Sequence, residues 1–88
     1  MIVLKIYDVF LEGLPKIDLH GYDREGARVA VNDFIDEAIL MNYSKLLIIH
    51  GIGEGIVKNA VHEALSKRKE VISYHVVLEN IGCTIVEL

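Results

Sequence analysis

The chain has 88 residues, 52% of them apolar, with nine Lys/Arg against thirteen Asp/Glu and a net charge of −4. That size allows one domain with a single two-layer core, and its lone cysteine, Cys83, excludes a disulfide framework and a cysteine-based zinc site and points to an intracellular setting. Residues 1–44 hold four Lys/Arg against eight Asp/Glu and residues 45–88 hold five against five, so any nucleic-acid binding has to be local rather than driven by the charge of the whole chain.

Residues 2–7 are apolar and β-branched and are expected to form a strand or arm. Charges interrupt this stretch and no basic flank precedes it, so it is not a signal peptide. Gly13 and Pro15 mark a connection over 11–16. Ile17 to His20 reads as a short strand ended by Gly21. Asp23 is placed to cap a helix whose apolar stripe is Ala27, Ala30, Val31, Phe34, Ile35 and Ala38. Asn42 is expected to end it in the left-handed conformation. Leu46 to Ile49 is an unbroken apolar run, the mark of a strand buried on both faces, and it is far too short to cross a membrane. Gly51, Gly53 and Gly55 turn the chain into a second helix with the stripe Val57, Ala60, Val61, Ala64 and Leu65. Lys67, Arg68 and Lys69 close it, where cations suit the negative end of the dipole. Residues 71–78 and 83–88 read as two further strands joined by a hairpin over 79–82. The order (β)-β-α-β-α-β-β, with two βα units, predicts an α/β two-layer sandwich: a mixed, mostly parallel sheet with both helices on one face.

Two segments could carry chemistry. Asp18 and His20, two apart on a strand, are expected to share a face, where a carboxylate can orient an imidazole or join it on a metal. The second is His50-Gly51-Ile52-Gly53-Glu54-Gly55, at the end of a buried strand and the start of a helix. Glycines there let backbone N–H groups approach an anion at the positive end of a helix. The spacing is neither a dinucleotide-binding fingerprint nor a Walker loop. Ligands in open α/β sheets sit beyond the carboxyl ends of parallel strands. If the strands ending at His20 and His50 are neighbours, Asp18, His20, His50 and the glycine loop share one edge, ready for acid–base work or for a metal. Lys58 lies in the first turn of the second helix against the dipole preference, which suggests an anionic partner. Tyr22 could stack on a base. His62 falls on the polar side of its helix and is expected to be solvated, and His75 to satisfy itself within its strand.

Ile17-Asp18-Leu19-His20-Gly21, the loop 48–55 and the closing segment Cys83-Thr84-Ile85-Val86-Glu87-Leu88 together resemble the small MutS-related (Smr) domain family, in the family's order, over residues 17–88. The resemblance implies a two-layer α/β sandwich spanning 17–88, preceded by an arm over 1–16. It also implies a nucleic-acid role in DNA repair or RNA metabolism, since DNA nicking is attributed to some members and RNA cleavage to others. The family's first motif falls on Asp18, His20 and Gly21, and its glycine loop on His50, Gly51, Gly53 and Gly55. Where the family loop often carries lysine and threonine, this chain has Ile52 and Glu54, and Lys58 stands where an arginine is common. Losing one or two charge-assisted phosphate contacts of roughly 1.5–3 kcal/mol each weakens phosphate binding by about a decade or more.

The leading expectation is therefore a cytoplasmic DNA- or RNA-binding protein with Smr-type endonuclease activity. Asp18, His20 and His50 would be the catalytic or metal-ligating residues, Mg²⁺ and Mn²⁺ the candidate metals. Gly21, Gly51, Gly53, Gly55 and Lys58 would hold phosphate. The alternative is a non-catalytic interaction module that dimerises through the apolar N-terminal arm.

Overall fold

The computed structural model describes residues 13–78 and 80–88. The arm expected over residues 2–7, and dimerisation through it, lie outside the described residues. Six elements follow in order: β1 (Lys16–Asp18), α1 (Arg24–Leu40), β2 (Lys45–Ile49), α2 (Ile56–Ser66), β3 (Ser73–Val77) and β4 (Asn80–Glu87).

Local sequence accounts for the ends of α1. The Asp23 carboxylate accepts a hydrogen bond from the Gly26 N–H at 2.7 Å, satisfying one of the free donors of the first turn. Asn42 adopts φ 62°, and the Tyr43 N–H returns to the Ala38 carbonyl at 2.9 Å, stopping the helix. Helix α2 starts differently. Its cap is Gly55 at φ 82°, with no side chain accepting from the first turn. At its far end Arg68 does more than meet the dipole. Its guanidinium pairs with Asp36 at 2.7 Å and donates to the Asn32 carbonyl at 3.3 Å, tying the end of α2 to the middle of α1.

The sheet runs β1-β2-β4-β3. Strands β1 and β2 are parallel, with Ile17 opposite Ile48. Strand β4 is antiparallel to both β2 and β3. The sheet is mixed and mostly parallel, as the sequence predicts: β1, β2 and β3 run the same way and β4 alone runs against them. The short connection between β3 and β4 forces them antiparallel, and β4 then inserts beside β2, also antiparallel to it. That hairpin is tighter than expected, since β4 starts at Asn80 rather than at Cys83.

Both helices cover one face of the sheet. Val31, Ile35 and Ala38 of α1 and Val61, Ala64 and Leu65 of α2 pack on Leu46, Ile48 and Val86 in one buried cluster with Leu19. On the opposite face Leu47, Val77 and Cys83 form a smaller cluster with Leu14, Ile49 and Ile85 against it. Strand β2 therefore contributes to both layers, which explains its lack of alternation. No helix among the described residues is long and apolar enough to cross a membrane.

Leu46 is fully buried and Leu40 is 82% exposed. Leu46→Ala is expected to cost about 2–5 kcal/mol in urea denaturation, and Leu40→Ala about 0.5 kcal/mol or less. Equal losses at the two positions would contradict this assignment of the core.

Candidate functional site

The parallel pair β1–β2 brings the two motif segments together. Their pairing continues past the last ladder residue, where the Leu19 N–H donates to the Ile49 carbonyl at 2.7 Å. Beyond that point both strands turn. Gly21 takes φ 82° and Gly51 φ 85°. Gly51 is the tightest crossing: a Cβ there would lie 3.2 Å from His20 Cβ. Gly82, in β4, also passes close by: a Cβ on it would meet the Gly51 backbone at 3.4 Å. The Gly82 carbonyl accepts from both the His50 and Gly51 N–H groups at 2.9 Å. The Gly51 amide is therefore committed to the fold. The expectation that it contacts phosphate is corrected on that ground.

Asp18 and His20 do meet, but through a turn rather than across a strand face. Strand β1 ends at Asp18. One Asp18 carboxylate oxygen accepts from the His20 backbone N–H at 3.1 Å and from its Nδ1–H at 2.6 Å. These two bonds hold the Asp18 carboxyl below its ordinary value, the ring contact contributing most. Because Asp18 takes the Nδ1 proton, Nε2 of neutral His20 keeps a free lone pair. The side chain is 73% exposed, so that lone pair can meet an incoming molecule.

His50 has the opposite character. It is 3% exposed and both ring nitrogens are engaged. Nδ1 lies 3.0 Å from the Gly51 carbonyl, which can only accept, so the proton sits on Nδ1. Nε2 then accepts from the Thr84 hydroxyl at 2.8 Å. Having donated its one proton, that hydroxyl accepts from His62 Nε2–H, also at 2.8 Å. Thr84 is fully buried, and the His50 and His62 rings meet edge to face with centroids 5.9 Å apart. Burial pushes both imidazoles below their ordinary value. The Lys58 charge adds to this in each, while in His50 the Gly51 carbonyl opposes it. His50 is thus a neutral, buried bridge, which does not match the expected role of base or ligand. His62, expected in solvent, is half-buried in the same bridge. His75 is exposed on β3.

Among the described residues no three His, Cys, Asp or Glu side chains are gathered so as to hold a metal ion. Asp18 and His20 bond to each other while His50 faces Thr84, so the expected Asp18–His20–His50 ligand set is not formed.

A cavity of about 730 Å³ opens over this edge. His20, Gly21, Gly51, Gly55 and Lys58 line it, together with Tyr22 and Arg24 at the start of α1 and Asn80 at the hairpin. Gly53 belongs to a smaller neighbouring hollow, also lined by Lys58. The first-turn amides of α2, from Ile56 to Lys58, have no backbone acceptor among the described residues. Arg24 and Lys58 make no ion pair among those residues. Cys83 also lines the cavity, but burial and the Asp18 charge push its thiol up, so it stays protonated and unreactive.

Sequence reasoning missed Thr84, His62, Arg24 and Asn80. For Thr84 a signal was present: a hydroxyl inside the apolar strand Cys83–Val86 needs a buried partner.

Comparison with known proteins places this geometry. The Smr domain model matches residues 17–88, and the chain belongs to the Smr family. The Endonuclease MutS2 of Staphylococcus saprophyticus is 38% identical over 76 residues, 83% of this chain and 10% of the relative. The Endonuclease MutS2 of Streptococcus equi subsp. equi is 41% identical over 76 residues, with the same shares. The chain spans about a tenth of the length of these relatives. Among solved structures, the Smr domain of Thermus thermophilus MutS2 superposes with a TM-score of 0.82 at 31% identity, covering 85% of this chain and 98% of that one. YdaL, a stand-alone small MutS-related protein from Escherichia coli, gives 0.78 at 28% identity, covering 83% and 63%.

Thr84→Val leaves the buried His50 acceptor and the half-buried His62 donor without partners, at about 1–3 kcal/mol for the first and less for the second. Thr84→Ser should restore most of the loss in urea denaturation. If valine is tolerated as well as serine, the bridge does not stabilise the fold. The two buried imidazoles also set a pH dependence. The unfolded chain takes up protons near 6.5 and the folded chain resists them. Stability is therefore full above 6.5 and falls as the pH drops below it. Denaturation midpoints that do not change between pH 7.5 and 5.5 would contradict this.

Proposed function

We propose that the chain is a nucleic-acid-binding domain that cleaves phosphodiester bonds by acid–base chemistry centred on His20. The observation that carries this reading is His20, exposed, held by Asp18 and with Nε2 free, lining the same cavity as two cations that have no acidic partner among the described residues. His20 Nε2 would take the proton from the attacking oxygen, a water or the 2′-hydroxyl of RNA, as that oxygen bonds to phosphorus and the bond from phosphorus to the leaving oxygen breaks. The leaving oxygen would take its proton from solvent water, to which the exposed site is open. Asp18 would hold the ring by its Nδ1–H and stabilise the imidazolium that forms. Lys58, Arg24 and the first-turn amides of α2 would face the phosphate oxygens, where charge builds in the transition state. His50 also lines the cavity, but with both ring nitrogens engaged it would act on the loop rather than on the substrate. By bonding the Gly51 carbonyl it would hold the loop on which the phosphate rests.

The MutS2 relatives carry the name endonuclease, which supports cleavage as the reaction. Glu54 lines the cavity as well. Its charge opposes above all the extra negative charge that builds on the phosphate in the transition state, which favours a second reading, a nucleic-acid-binding module without turnover.

A cleavage assay on supercoiled plasmid and on a labelled structured RNA, with Mg²⁺, Mn²⁺ and chelator arms, tests both readings. Products are expected on at least one substrate, and His20→Ala should lower the rate by about 10²–10⁴-fold. Asp18→Asn, which keeps the shape and loses the charge, should lower it less. Unchanged cleavage by His20→Ala would remove the mechanism. Salt-sensitive binding with no product would leave the binding module.

A further inference from the structure

The cavity holds more than a phosphate and a proton acceptor require. Its wall includes Tyr22, Ile49, Ile52, Ile56 and Val57. Ile52 is 76% exposed, Ile56 50% and Tyr22 47%. Apolar side chains grouped in water beside a charged site gain stability when a ligand covers them. The same cavity is lined by the cations Arg24 and Lys58 and by the acids Asp23 and Glu54. The unpartnered first-turn amides of α2 beside Lys58 mark the one end where a single anionic group fits next to the apolar wall. Asn80 supplies a polar handle. Its carbonyl oxygen accepts from the Gly82 N–H at 3.1 Å, which fixes the amide, and its two N–H donors have no partner among the described residues. A nucleotide combines these features: an anionic phosphate, a flat apolar base and carbonyl oxygens on the base edge.

We infer that the cavity receives one unpaired nucleotide, its base against Tyr22 and the Ile52–Ile56 wall and its phosphate towards Lys58. This rests on the nucleic-acid reading above and names the substrate class within it, a single-stranded segment. In a duplex the base faces are stacked and their edges paired, so a duplex offers the cavity phosphates alone and leaves the wall wet. At about 730 Å³ the cavity has room for a nucleotide and not for a helix of nucleic acid. Ile52 has a reason in this arrangement: the loop gives up a cation and gains an apolar surface for a base.

Equilibrium binding of the 88-residue protein by fluorescence anisotropy tests this at low salt. The probes are short labelled strands of equal length: oligothymidine, oligouridine, a fully abasic deoxyribose-phosphate strand and a blunt duplex. The thymidine or uridine strand should bind at least about tenfold more tightly than the abasic strand and the duplex. Tyr22→Ala and Ile52→Ser should each remove about fivefold or more of that preference and leave duplex affinity unchanged. Tyr22→Phe should restore it. Equal affinity for all four probes would overturn the nucleotide cavity and leave phosphate binding standing. Affinity for none of them would overturn both readings and turn attention to an acidic, apolar peptide as the occupant.

Discussion

The parallel pairing of β1 with β2 sets the position of every group at the functional edge. It aligns Asp18 with Ile49, and the Leu19–Ile49 hydrogen bond carries the alignment one residue further. The two turns therefore leave the sheet side by side. A shift of one residue would turn each side chain of β1 to the other face, and Asp18 and Leu19 would exchange places between the exposed edge and the core. The apolar demand of Leu19, which is fully buried, thus also fixes the carboxylate beside it.

Two histidines at the ends of neighbouring strands acquire opposite properties from their surroundings. His20 is exposed and held by a carboxylate, with one nitrogen free. His50 is enclosed, neutral and committed on both sides. A buried hydroxyl is costly when it is unpaired. Thr84 avoids that cost by giving its proton to one imidazole and receiving one from another. The result is a bridge from β2 through β4 to α2, under the loop that borders the cavity. Polar groups satisfied in this way restrict the arrangements open to a core.

Much of the fold could be read in the sequence, because it depends on patterns within single elements. The stripes of α1 and α2, the Asp23 cap, the left-handed Asn42 and the doubly buried run at Leu46–Ile49 all follow from neighbours in the chain. The partner of β4 does not. Strand pairing is decided by contacts between distant residues: the βα units pointed to parallel neighbours, and β1–β2 is one, but β4 inserts between β2 and β3. The site divides in the same way. Asp18 and His20 are two residues apart, and their pairing is legible, though it comes from a turn rather than from strand alternation. The environments of His50 and His62 depend on Thr84, 34 and 22 residues away; its hydroxyl inside an apolar strand signals that a partner is needed but not which one. Arg24 and Lys58 show the limit of net charge as a guide. An acidic chain can still place two cations at one cavity.

Strand β4 lies between β2 and β3, although it is the last of the six elements in the chain. During synthesis β1, the helices and β2 emerge well before the strand that completes the sheet. Until it arrives, β2 has a bare edge, and its apolar run has no cover from Thr84 and Val86. The α1–β2–α2 segment can collapse but cannot close, and His50 has no hydroxyl to bond. The sheet therefore closes only when β4 joins it, and a chain truncated before residue 80 would present an open apolar strand for chaperones or proteases to recognise.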